Sequence, residues 1–495
     1  MANAPAMSMT QKDHDELLKA LRFDAKHFGP ELANTAYARG LAVTLQDGST
    51  KPIPITATPV IVESAELHRR QKISALLSSA TLKMSRAVLD GLHRDIVFGG
   101  LSPLEQLMAE ATYARLTTLI TTRVDFFAGA KLSALEVNAT IPAMQGYSDI
   151  AASTFLEVVG RFWRVPDHLI ASWQATNGSN ALALYRALLS GYAQVRPGRV
   201  PERIALLSRR NDAQATEQKY LCEKFRDLGA EADVVHPDQL SGDDAVRANG
   251  KTYDLIYRHL FVRRLEEEGL AGAGYVRQLL AEPNGTRAVV LNPPASQVEA
   301  KAVFALLSEA TENPEIAKAA FLSTEELEAI AATVPWTRVF RGEALLEQVT
   351  KSPDDYVLKR SWDYGGRAVF VGRTRTQASF SDRVKASFGE PLDWAGLCAR
   401  AAVDHTGGGF VVQQVVDIHP ENHLLCSASS QESVDLYVDF SAYASVGLPQ
   451  QPRWGGVCRG SLSHIVNIVG GGGVLPLVTE EVAARLLTAW RAWVK

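Results

Sequence analysis

The chain has 495 residues, 46% of them hydrophobic and 21% charged, with a formal net charge of −4. That length points to roughly two to four packed units, and the near-neutral balance gives no electrostatic case for nucleic acid or an anionic membrane. No run of about 18 apolar residues occurs, so no membrane span is expected, and MANAPAMSMTQKDHDELLKA has no basic region followed by an apolar stretch, so no signal peptide is expected.

Residues 1–40 read as a polar tail with a loosely held helix. Residues 41–62 alternate around Asp47-Gly48, a hairpin signal, and continue through Pro52, Pro54 and Pro59 as extended chain. Residues 67–92 carry apolar side chains at helical spacing. A second helix is expected over 102–119, where Ser102 caps, Pro103 suits the first turn and Glu105 completes a capping-box spacing. The stretch Thr121–Ala139, TTRVDFFAGAKLSALEVNA, then holds Arg-x-Asp and Glu-x-Asn on two strands. Residues i and i+2 of a strand share a face. Paired as an antiparallel hairpin, Asp125 with Glu136 and Arg123 with Asn138 have the same sum of residue numbers, so one register gathers all four side chains. Three oxygen donors beside a guanidinium suit Mg²⁺ and a polyphosphate. A salt-bridge cluster on an amphipathic hairpin is the alternative.

Helices are expected over 150–163 and 180–192. Strand 203–208, helix 213–228 and strand 232–236 form a βαβ unit, which implies a parallel sheet, and 253–257 and 288–291 read as further strands of it. Helices follow over 297–307 and 324–333. From Asp355 onward the pattern turns to strands: YVLKRSW, RAVFVG, GFVVQQVV, VDLYVDFSAYA and SHIVNIV, with a last helix over 480–493. The whole reads as α/β followed by an antiparallel α+β region.

Several motifs carry little. Asn249-Gly250-Lys251-Thr252 lacks the upstream glycine of a P-loop and precedes a strand, so it reads as a surface turn. Position 277 is Arg, so Gly272 and Gly274 do not start a GxGxxG. Pro420 separates His419 from His423 and argues against a zinc helix. The scattered Cys222, Cys398, Cys426 and Cys458 read as reduced thiols of a cytoplasmic protein. More informative is Lys359 at a strand end, followed by Gly365-Gly366 and another strand, since a lysine and glycine-freed N–H groups can hold a triphosphate. An ordinary hairpin with a snorkelling lysine gives the same pattern. Asn292-Pro-Pro-Ala-Ser296 leads into a helix carrying Lys301, a candidate second ammonium. Gln413 and Gln414 sit in an apolar strand, where a backbone reading an adenine edge would supply partners.

In this order the elements resemble the ATP-grasp superfamily, and most of all its circularly permuted branch related to the synthetase domain of glutathionylspermidine synthase. The matching residues are Arg123-x-Asp125 before Glu136-x-Asn138, Tyr257-Arg258, Lys301, Val-Leu-Lys359, Gly365-Gly366 and Gln413-Gln414-Val-Val416. The glycine loop is shorter than in many relatives, and the hinge has glutamines where acids are common. The resemblance implies an ATP-grasp-like fold with a Rossmann-like pre-ATP-grasp subdomain. The division would be a tail at 1–40, the first part of the permuted domain at 41–200, the Rossmann-like subdomain at 201–292, and the ATP-binding lid and C-terminal region at 293–495. It further implies ATP-dependent joining of a small-molecule or peptide carboxylate to an amine through an acyl phosphate. Asp125, Glu136 and Asn138 would hold one or two Mg²⁺ ions, and Arg123 would act on the moving phosphoryl group. Lys301, Lys359, Gly365, Gly366, Gln413, Gln414 and Val416 would bind ATP, and Arg258 would grip the substrate carboxylate. A small-molecule kinase on the same site, or a degenerate nucleotide-binding scaffold, are the alternatives. Retention of the acids, the arginine and both lysines argues against the scaffold.

Overall fold

The computed structural model describes residues 9–129, 131–241, 245–270, 288–363, 366–449, 453–466, 468 and 472–495. Three larger sheets carry the architecture, which is mixed α/β. The largest has seven strands in the order Glu421–Cys426, Ile55–Thr56, Gly473–Leu475, Gly456–Ser461, Gln431–Val446, Leu119–Ala128 and Leu132–Asn138. The long strand Gln431–Val446 also pairs with Glu421–Cys426, so this sheet curls back on itself. A second sheet of four parallel strands runs Val289–Leu291, Leu255–His259, Arg203–Ser208, Glu231–Val235. A third, antiparallel, runs Thr337–Val339, Phe410–Gln414, Tyr356–Arg360, Val369–Val371.

The parallel sheet follows from its connections. Helix Ala215–Asp227 carries the chain from Arg203–Ser208 to Glu231–Val235, and it buries Leu221, Cys222 and Phe225. The antiparallel sheet has its own core, in which Leu358, Phe370, Phe410 and Val412 meet Phe380, Trp394 and Leu397. It is joined to the rest by a close backbone contact. A Cβ on Gly100 would lie 2.6 Å from the Gly408 nitrogen, inside the run Gly407–Gly409, whose φ values are all positive. Glu105 reinforces the joint: its carboxylate accepts the Ser102 N–H at 2.9 Å, the Trp362 indole N–H at 3.1 Å and the Arg263 guanidinium at 3.2 Å.

The expected capping box at Ser102 and Glu105 forms, although the helix stops at Ala111. The Asp47-Gly48 hairpin pairs Ala42–Thr44 with Thr50–Pro52, and Asn249-Gly250 is a turn between two short strands. Two expectations need correction. The N-terminal helix, Gln11–Ala38, is not loosely held: it is capped by Thr10 and Asp13 and buries Leu17, Leu21, Phe28 and Leu32 in the largest core. The expected strand at 463–469 does not form in its described part, because the Ser463 N–H donates to Ser461 Oγ at 3.2 Å and Ser461 Oγ donates to the Ile465 carbonyl at 3.1 Å. Such local serine bonds compete with a ladder. Residues 467 and 469 lie outside the described residues.

Candidate active site

The hairpin of Leu119–Ala128 and Leu132–Asn138 has the expected register: Arg123 faces Asn138 and Asp125 faces Glu136. A bulge follows at once, so that Phe126 faces Ala134. Strand Gln431–Val446 lies along the other edge, with Tyr443 opposite Arg123 and Ser441 opposite Asp125. The next strand sets Arg459 opposite Asp439. One face of four strands therefore carries a charged array, and most of it is buried.

Asp125 is its centre. Arg123 meets it through two parallel bonds, Nε to Oδ1 at 2.7 Å and Nη2 to Oδ2 at 3.0 Å. Arg459 Nη2 donates to the same Oδ2 at 2.8 Å, and Asn138 Nδ2 reaches it at 3.3 Å. Burial works against the Asp125 charge, but the two guanidiniums more than offset it and hold the carboxyl well below the usual range. Arg459 also pairs with Asp439, Nε to Oδ2 at 3.0 Å. Burial pushes Asp439 up to about 6 against the pull of Arg459, and the nearby Asp125 charge adds to the rise. Arg123 Nη1 donates to the carbonyls of Pro142 and Ala143.

Both candidate lysines reach this hairpin. Lys301 Nζ donates to the Asp363 carbonyl at 2.8 Å and lies 3.6 Å from Glu136 Oε2. Lys359 Nζ donates to Gln413 Oε1 at 2.7 Å and to the Leu135 carbonyl at 3.2 Å. Burial lowers the Lys359 ammonium to about 8, with Glu136 holding it up and Lys301 adding to the fall. The two adjacent glutamines separate as strand alternation requires: Gln413 is buried and also donates to Thr337 Oγ1 at 3.0 Å, whereas Gln414 is exposed.

These groups line one cavity of about 720 Å³, which includes Arg123, Asp125, Glu136 and Asn138, the lysines Lys301 and Lys359, and Gly366, Gln413, Gln414 and Val416. Gly366 has φ +70°, and a Cβ there would touch Ile465. Gly365 lies outside the described residues. Part of the cavity wall is formed at the carboxyl edge of the parallel sheet. Arg209, Asp212 and Gln214 come from the loop after Arg203–Ser208, and His259 and Leu260 from the end of Leu255–His259. The strand that follows Arg203–Ser208 lies on one side of this adjacent pair and the strand that follows Leu255–His259 on the other, and such a switch point opens a crevice between loops. Arg258 is not among the lining residues: it is 2% exposed, and its guanidinium donates to the carbonyls of Leu260 and Pro293. Burial lowers it to about 10.

Sequence reasoning did not assign Arg459, Asp439 or Glu299, all of which line the cavity. A signal for Asp439 was present: in VDLYVDFSAYA it occupies the same face as Ser441 and Tyr443, an acid within a strand rich in apolar residues. Among the described residues no group of three or more His, Cys, Asp or Glu side chains could hold a metal by itself. The four cysteines are buried and unpaired with one another. No helix of the described residues is long and apolar enough to cross a membrane.

No protein-family model matches the chain, and no curated protein matches it. Solved structures do match. The chain is similar to a glutathione synthetase-like effector from Globodera pallida in its apo form, at 12% identity and a TM-score of 0.57, over 97% of this chain and 100% of that one. A protein described as a γ-glutamylcysteine synthetase, from Methylobacillus flagellatus, aligns over 88% of this chain and 97% of its own at 11% identity, but its TM-score of 0.39 carries no argument. The first likeness spans the whole described architecture and, at that identity, shows the fold alone: a mixed α/β fold of the glutathione synthetase-like kind.

Proposed function

We propose that the chain is an ATP-dependent carboxylate–amine ligase with a circularly permuted ATP-grasp arrangement, in which the metal-binding hairpin precedes both nucleotide lysines. The observation that carries this is the meeting of Lys301 and Lys359 with the hairpin itself, at Glu136 and at the Leu135 carbonyl, inside one cavity. Two ammonium groups, a buried guanidinium and carboxylate and amide oxygens in one cleft suit a metal-bound triphosphate. The glutathione synthetase-like fold of the Globodera pallida protein agrees with it. The parallel sheet takes the part of the Rossmann-like subdomain.

In this reading Lys301 and Lys359 neutralise the α- and β-phosphates, and the strand end at Gln413, Gln414 and Val416 borders the adenine. Glu136 and Asn138 offer oxygens of the hard kind that Mg²⁺ prefers. Both Asp125 oxygens are engaged by guanidiniums, so Asp125 joins that ligand set only by releasing one of them. Mg²⁺ held there would supply positive charge that offsets the charge of the phosphates. Arg123, kept ionised and aimed by Asp125, stabilises charge on the γ-phosphoryl group as it passes to the substrate carboxylate. An amine then attacks the acyl phosphate and phosphate leaves. The part of the cavity lined by Arg209, Gln214 and His259 would take the acceptor. Arg258, whose guanidinium is spent on main-chain carbonyls, would support the loop after its strand.

The test is phosphate release from MgATP across amino acids, peptides and polyamines, with hydroxylamine present in parallel. A ligase gives a hydroxamate with the carboxylate substrate alone. A phosphate ester that hydroxylamine does not trap would mean a kinase, and absence of Mg²⁺-dependent ATP binding would exclude both.

A further inference from the structure

The turn between the hairpin and helix Gln145–Phe162 has a costly backbone. Ala143 and Met144 are consecutive non-glycine residues with φ of +47° and +74°. Such conformations persist only where the surroundings impose them. Here the surroundings act from four directions. Glu299 Oε1 accepts the N–H groups of Thr140 at 2.6 Å and Ile141 at 3.0 Å. Tyr443 Oη donates to the Ala143 carbonyl at 2.8 Å, and Arg123 donates to the carbonyls of Pro142 and Ala143. The last hold is Glu217, on helix Ala215–Asp227, whose Oε1 accepts the Gly146 N–H at 2.9 Å. Ile141, Pro142, Ala143 and Met144 all line the cavity, whereas Glu217 sits behind them, 0% exposed.

We infer that Glu217 is a positioning residue for Arg123: by fixing the start of helix Gln145–Phe162 it holds the strained turn in the shape that presents the Pro142 and Ala143 carbonyls to the guanidinium. The catalytic part of this inference rests on the ligase reading; the positioning part does not. Gly146 belongs to the same device, since a Cβ there would lie 3.0 Å from both Glu217 Cγ and the Tyr220 ring.

The groups facing Glu217 are Arg123 from the hairpin, Asp212 from the loop beside it, Tyr147 from the helix it caps, Tyr257 from the parallel sheet and Tyr443 from the long strand. Burial pushes its carboxyl up to about 7, although the Met144 and Gly146 N–H groups favour the charged form. An ionised carboxylate is the stronger acceptor at a helix start. The turn is therefore held most firmly above about pH 7 and loosens as Glu217 takes up a proton below it.

Two variants and two readouts test this. Glu217→Gln keeps an amide oxygen for the Gly146 N–H but is neutral at every pH. Removing a buried charge relieves desolvation, so this variant is expected to melt no lower than the parent at pH 8. Its kcat is expected to fall about tenfold at pH 8, consistent with the loss of a charge-assisted bond. Its KM for ATP should stay unchanged, and the acid limb expected of the parent near pH 7 should be missing. Gly146→Ala should lower kcat with Glu217 intact. Independently of turnover, the Nε–H resonance of Arg123, assigned with Arg123→Lys, should shift with pH near 7 in the parent and not in Glu217→Gln. An inactive parent would count against the ligase reading, and the resonance would still decide the positioning. A Glu217→Gln protein with the parent's Arg123 titration, or with its kcat and pH limb, overturns the inference.

Discussion

Lys359 gives the sharpest quantitative test of the nucleotide site. Its ammonium is lowered to about 8, mainly by burial. A bound triphosphate favours the charged form, so MgATP must raise that pKa. About half of the lysine is neutral at pH 8, roughly a tenth at pH 7 and roughly nine-tenths at pH 9, by simple titration. Binding should therefore take up roughly 0.1, 0.5 and 0.9 proton at those three pH values. The sign follows for affinity: it is level below about pH 8 and falls, approaching tenfold per unit, as pH rises above it. Isothermal calorimetry in buffers of differing ionisation enthalpy measures the uptake directly. Lys359→Met keeps the length of the side chain and removes its charge. It should abolish the uptake and weaken MgATP by about 1.5–3 kcal/mol, roughly tenfold to a hundredfold in Kd. Equal proton uptake in parent and variant, or an affinity flat from pH 7 to 9.5, would refute the assignment of Lys359 to the phosphates.

Four further outcomes are expected. Asp125→Asn leaves the buried Arg123 without its charged partner, so denaturant unfolding should show a loss of about 3–5 kcal/mol; the half-exposed Glu136 lies 3.6 Å from Lys301, an ion pair open to solvent, so Glu136→Gln should fold normally, within about 1 kcal/mol of the parent, and lose Mg²⁺-dependent turnover. Gly100→Ala drives a Cβ into the Gly407-Gly408 backbone and should lower the melting temperature, with a cost of about 1–3 kcal/mol. Phe28→Ala, in the N-terminal helix, empties a fully buried site in the largest core and should cost about 3–5 kcal/mol by the same unfolding measurement; a near-neutral result would restore a loosely held tail.

What was legible in the sequence was whatever depends on neighbours in the chain. The hairpin register, the parallel sheet around 203–208, the Ser102 cap and the helix Glu480–Trp493 all follow from local spacing. The bulge after Asp125 left no mark, because a single extra residue does not change the alternation up to that point. Arg258 and His259 are adjacent, and strand alternation sends only His259 to the cavity; which of the two faces it depends on the sheet's placement, not on its sequence. The apolar residues of 463–469 suggested a strand, but the Ser461 hydroxyl claims backbone groups that a ladder would need. The roles of Arg459 and of Asp439, whose place in an apolar strand was a signal without a partner, were hidden for a different reason. Their meaning comes from Asp125, a residue far upstream that only the folded sheet brings beside them.

That distance has a consequence for how the protein comes into being. Asp125 and Ser441 are edge-to-edge partners roughly 300 residues apart, and strand Gln431–Val446 bridges the hairpin to Gly456–Ser461. Non-local pairing of this kind is intrinsically slow to form. During synthesis the hairpin must wait, with one edge bare and Asp125 lacking Arg459, until Gln431–Val446 and Gly456–Ser461 have emerged. A nascent edge of that sort is a site for wrong pairing with another chain. That edge strand carries Arg123 and Asp125, and charged side chains on an edge are a general means of discouraging a foreign strand from docking.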